Sequence, residues 1–126
     1  MMPRNPKNER IKRQYSDFMK HADGKAEPTI RLIEKSIQRY EAFTGHVDFA
    51  TFNQQRAKNF KDDLAGQNLA KATILSTVTD LKRFFGWLAL VPGYKTKISK
   101  NDIEFLSLSE KDVRAAKSSL KFLALC

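Results

Sequence analysis

The chain has 126 residues, 41% of them apolar, with nine Phe, three Tyr and one Trp, and its 23 Lys and Arg against 14 Asp and Glu give a net charge of +9 at pH 7. That length suits one domain and that apolar content excludes wholesale disorder. A lone cysteine, Cys126, and two histidines exclude an internal disulfide and a structural zinc, and no apolar run is long enough for a membrane span or a signal-peptide core.

Pro and Gly punctuate the chain, and no interval between them alternates as a strand, so the predicted fold class is all-α. The first predicted helix, about residues 8–22, aligns Ile11, Tyr15, Phe18, Met19 and Ala22 on one stripe. Asp23-Gly24 stops it, and residues 1–7 precede it as a flexible arm. The second opens at Glu27-Pro28-Thr29, where the proline's missing N–H does no harm, and repeats Ile30, Ile33, Ile37 and Tyr40 before Gly45. The third begins at Asn53, a good N-cap residue, and carries Ala57, Phe60 and Leu64 before Gly66, with Phe49 and Phe52 stapling it to the core.

The fourth, about residues 69–91, repeats Ile74, Val78, Leu81, Phe85 and Leu88 at intervals of four and three until Pro92-Gly93. Gly86 sits inside it at a cost of about 1 kcal/mol, which predicts close packing of another backbone there. A basic connector follows, with Tyr94, Lys95, Lys97 and Lys100. Ser109-Glu110-Lys111-Asp112 then resembles a capping box opening a last helix. Its end, Phe122-Leu123-Ala124-Leu125-Cys126, is apolar and uncapped, which predicts a chain cut short. The shared faces predict a core of Ile30, Ile33, Ile37, Phe60, Leu64, Ile74, Val78, Leu81, Phe85 and Leu88.

The excess charge is uneven: residues 1–25 carry +4, 67–94 carry +2 and 95–126 carry +3, while the segments between are neutral. Helical projection places Arg31, Lys35, Gln38 and Arg39 opposite the isoleucine stripe of the second helix. On the fourth it places Ser76, Thr79 and Arg83 opposite the core, with Lys71 and Thr73 near the positive end of the helix dipole. Short hydroxyls and long cations on one face suit phosphate contacts, with Lys95 and Lys97 reaching around a duplex. Each face alone better suits a plain solvated helix, by about two to one; the +9 of the whole chain brings the nucleic-acid reading nearly level with that one.

Chemistry of other kinds is missing. His21 and His46 have no partner at metal or helical spacing and read as surface or capping residues, and Asp62-Asp63 point about 100° apart on a helix and cannot share a reacting atom. No phosphate-loop, dinucleotide or nucleophile-elbow motif occurs. The sequence predicts a binder rather than an enzyme, with no cofactor and no metal.

The stretch from Ala72-Thr73-Ile74 through Leu81-Lys82-Arg83-Phe84-Phe85-Gly86-Trp87-Leu88 resembles the fourth helix of the N-terminal core-binding (SAM-like) domain of tyrosine recombinases of the phage-integrase type. Thr29-Ile30, Tyr40-Glu41-Ala42-Phe43-Thr44-Gly45, the segment from Asn53 to Leu64, and Ile11, Tyr15, Phe18 and Met19 follow that family's order over about residues 8–115. The resemblance implies a four-helix bundle over 8–94 that clamps one side of double-stranded DNA, with 95–126 as connector, linker helix and entrance to a catalytic domain. Its partners would be that missing domain of the same polypeptide and other recombinase protomers on DNA. The expected location is cytoplasmic and nucleoid-associated, in a prokaryote or phage, with no membrane partner. The family often has a hydroxyl residue where this chain has Ala70, so capping of the fourth helix is expected to fall to Asn68 or another group. The family's His-x-x-Arg pair and late tyrosine nucleophile have no counterpart here. Two other classes fit less of the pattern: a helical protein-interaction module docking through exposed Trp87 and Leu90, and a stand-alone DNA-binding regulator.

Overall fold

The computed structural model describes residues 5–107. Among them the regular elements are α1 (Pro6–His21), α2 (Glu27–Thr44), a 3-10 turn at Phe49–Thr51, α3 (Gln54–Gly66), α4 (Lys71–Leu88) and a short α5 (Lys100–Glu104). The chain is therefore an all-helical bundle. The predicted capping box at Ser109 and the linker helix lie outside the described residues.

The helix ends follow local chemistry. The Asn5 side chain accepts from the N–H groups of Lys7 and Asn8, which draws Pro6 and Lys7 into the first turn of α1. The segment expected as a free arm thus enters the helix from Pro6 onward. Gly45 ends α2 at φ 73°, a left-handed conformation that glycine adopts freely, and the next N–H, of His46, returns to the Glu41 carbonyl at 2.8 Å. Asn53 caps α3 as expected, accepting from the Arg56 N–H at 2.9 Å. At α4 the expectation fails: Ala70 is the N-cap without a side-chain bond, and Asn68 instead takes a left-handed turn conformation at φ 63°.

α2 and α4 form the most extensive helix pair, and α1, α3 and α5 pack around them. Every residue predicted for the core is buried. At its centre Tyr40, Phe49, Phe52, Phe60, Phe84 and Phe85 form an aromatic cluster, in which Phe52 and Phe85 stack with ring centroids 4.1 Å apart. Phe49 and Phe52 do staple the approach to α3. The Tyr40 hydroxyl is enclosed in this cluster with no hydrogen-bond partner among the described residues, and burial pushes its pKa upward.

The core does not stop at residue 94. The stretch expected as a basic connector folds back, burying Ile98, Ile103 and Leu106, and α5 packs on α3 and α4. Three lysines fasten it. Lys61 Nζ donates to the Ser107 carbonyl at 3.1 Å, Lys82 Nζ to Ser107 Oγ at 2.8 Å, and Lys58 stands 4.9 Å from the centre of the Phe105 ring. Gly86 also departs from expectation. A Cβ built on it would meet nothing within 4 Å, so no neighbouring backbone requires the glycine.

α1 and α2 are tied by a buried carboxylate. Glu41, only 2% exposed at its side chain, accepts from Lys12 Nζ at 2.6 Å and from Asn8 Nδ2 at 3.4 Å, and His46 Nδ1 lies 3.5 Å away. His46 therefore has a partner that its sequence neighbours do not reveal. Lys12 also pairs with Glu9 at 2.6 Å. Burial alone would lower the Lys12 pKa, but its bonds to the two carboxylates outweigh that and hold it above the ordinary value.

Candidate nucleic-acid interface

The bonds between α2 and α4 define their relation. Ser36 Oγ donates to Asp80 Oδ2 at 2.8 Å, and Arg39 Nη1 donates to Thr77 Oγ1 at 3.0 Å. As the α2 partner advances by one turn the α4 partner retreats by one, so the helices run antiparallel. Their outer edges enclose a groove of about 330 Å³, lined by Leu32, Lys35 and Arg39 from α2 and by Thr73, Ser76 and Asp80 from α4.

The structure thus brings together Lys35, Arg39, Thr73 and Ser76 from the residues that the sequence singled out. Exposed Arg31 lies one turn before Lys35 on the same edge of α2, toward the C-terminal half of α4. Exposed Lys71 opens α4 two residues before Thr73, where neither a side-chain cap nor an acidic residue offsets the positive end of the helix. Arg83 follows Asp80 by about a turn and is close enough to influence its titration.

The remaining candidates go elsewhere. Gln38 lines a different groove, of about 750 Å³ between α1 and α2, where Glu9, Asp17, Glu34 and Glu41 outnumber Lys12 and Arg13. Lys95 lines a groove between α4 and α5. Half-buried Thr79 does not line the α2–α4 groove, and Lys97 is exposed in the turn before α5. Trp87, expected to be exposed, is half-buried, its ring 4.9 Å from Tyr15 and 6.0 Å from Phe18; Leu90 is exposed as expected. Burial pushes the Tyr15 hydroxyl in that stack up to about 12.

Sequence reasoning did not single out Ser36, Thr77, Asp80 and Lys25. Asp80 is the sole acid in 67–94, which was a visible signal. Burial raises its carboxyl pKa, an effect partly offset by the Ser36 hydrogen bond and by the charges of Arg83 and Lys25. The groove therefore holds one carboxylate, Asp80, beside Lys35 and Arg39 in its lining and within the influence of Arg83 and Lys25. Hydroxyls at Thr73 and Ser76 and the flanking cations can donate to the oxygens of a polyanion lying along the groove.

Among the described residues no cluster of His, Cys, Asp and Glu could hold a metal ion, and no helix is long and apolar enough to cross a membrane. No family model, curated protein or solved structure matches the chain.

Proposed function

We propose that this chain binds duplex DNA through the α2–α4 face, as the core-binding (SAM-like) domain of a site-specific tyrosine recombinase of the phage-integrase type, with other protomers and a catalytic domain as its partners on DNA in the nucleoid. In this reading the chain holds DNA and does not cut it. One observation carries the reading: Lys35, Arg39, Thr73 and Ser76, from two helices far apart in sequence, line one groove on a chain of net charge +9. The groove's donors, the Lys35 and Arg39 cations and the Thr73 and Ser76 hydroxyls, suit the oxygens of phosphates.

Titration of the chain into a fluorescent 20-base-pair duplex, repeated over a range of salt concentrations, tests it. With about four to six phosphates engaged, log K against log[salt] falls with a slope of roughly −4 to −5. A slope near zero, or no saturable binding at low salt, contradicts the proposal.

A further inference from the structure

α4 carries a second surface. Lys82 and Gly86 stand about one turn apart on α4 and Leu90 follows just after the helix ends, a stripe whose two helical members lie about 80° or more around the axis from Thr73, Ser76 and Asp80. Together with Lys95, Ile98 and Lys100 from the turn and α5, this stripe borders a groove of about 600 Å³.

Three features set the groove apart. Leu90 is 72% exposed, the most exposed of the large apolar side chains among the described residues. Gly86 has open space where a side chain would stand, so the bundle itself gives no packing reason for a residue that weakens α4. At the rim, exposed Lys95 and Lys100 form no ion pair with any described residue, whereas Lys82 is already held by Glu104 at 3.5 Å and by Ser107.

We propose that this groove docks a protein segment carrying apolar side chains between carboxylates. One apolar side chain of the partner crosses Gly86 beside Leu90, and its carboxylates meet Lys95 and Lys100. Charge complementarity selects this occupant. A second copy of the chain would bring a net charge of +9 to a basic rim. A nucleic acid would satisfy the lysines but would leave Leu90 and the gap above Gly86 unfilled.

The test uses the full chain and a fluorescein-labelled 15-residue helical peptide with leucines at i, i+3, i+4 and i+7 and glutamates elsewhere, compared with the same peptide carrying lysines for glutamates. The glutamate peptide is expected to bind saturably and at least tenfold more tightly than the lysine peptide. Gly86→Leu, which fills the gap, should weaken that binding at least tenfold while duplex DNA affinity stays within twofold, which separates this site from the DNA-binding reading. Lys95→Glu with Lys100→Glu, both exposed, should weaken peptide binding as strongly, and this pair decides the matter if Gly86→Leu fails to fold. The proposal is overturned if the glutamate peptide does not saturate, if both peptides bind equally, or if a folded Gly86→Leu chain binds the peptide unchanged. A concentration-dependent dimer that Gly86→Leu abolishes would assign the groove to a second copy and overturn it too.

Discussion

The Arg39 guanidinium donates to Thr77 Oγ1 at 3.0 Å, and that hydroxyl donates in turn to the Thr73 carbonyl at 2.7 Å, so a cation on the candidate DNA face is anchored in the seam between α2 and α4. Arg31 and Lys35, on the same edge of α2, have no such anchor among the described residues. Thr77→Val keeps the shape but removes the acceptor. It should cost about 1 kcal/mol in urea unfolding and leave the salt slope of DNA binding unchanged, because the Arg39 charge remains. A flattened slope would show that the anchor, rather than the charge, makes the contact.

Asp80 adds a pH dependence of known sign. Its carboxyl titrates above the ordinary value of 3.8 because of burial, so the folded chain holds that proton more tightly than the unfolded chain does. This residue's contribution to stability therefore falls as pH rises from below about 4 through the raised pKa, and stays reduced at neutral pH. Asp80→Asn keeps an acceptor for Ser36 and removes the charge. Unfolding measured from pH 3 to 7 should show the variant gaining up to about 1 kcal/mol on the wild type as pH rises, discounted for the half-exposed site. With one less negative charge in the groove, its DNA affinity should rise about two- to fivefold.

The Glu41 cluster should behave in the opposite way on truncation. Lys12→Met leaves a buried carboxylate without its cation and should cost about 2–4 kcal/mol. Adding Glu41→Gln to that variant should recover at least half of the loss. A double variant as unstable as the single one would show that Lys12 acts through packing of its alkyl stem.

At the aromatic centre two substitutions should move in opposite directions. Tyr40→Phe removes a hydroxyl that has no partner among the described residues and should raise stability by about 1 kcal/mol, whereas Phe85→Ala, which leaves a cavity beside Phe52, should lower it by about 3–5 kcal/mol. Chemical denaturation reads both. A loss of stability in Tyr40→Phe would reveal a partner for the hydroxyl.

How much of this was legible in the sequence depended on periodicity. Ile74, Val78, Leu81, Phe85 and Leu88 announce α4 because four turns of spacing leave one face for the core, and the same holds for the isoleucines of α2. The burial of the stretch after residue 94 was not foreseen because Ile98 stands alone among polar residues and Ile103, Phe105 and Leu106 make too short a run to show a period, and only the bundle supplies the surface that buries Ile98, Ile103 and Leu106. The candidate site was half legible. Projection separates an outer face from an inner one, but it cannot tell which neighbour that face borders. Gln38 and Lys95 were therefore grouped with Lys35 although they line other grooves. The contact between Glu41 and His46 escaped notice because it depends on the left-handed turn at Gly45 and His46.

The assignment of the DNA face rests on charge, and comparing two pairs of charge removals tests it most directly. Lys58 and Lys61 sit on α3 and fasten the segment around Phe105 and Ser107, away from the α2–α4 groove. In salt-dependent duplex titrations at a temperature where every variant is folded, Arg31→Ala with Lys35→Ala should weaken binding and flatten the slope by about 1 to 2, and Lys58→Ala with Lys61→Ala should leave it nearly unchanged. If the α3 pair flattens the slope and the α2 pair does not, DNA does not lie along the α2–α4 groove.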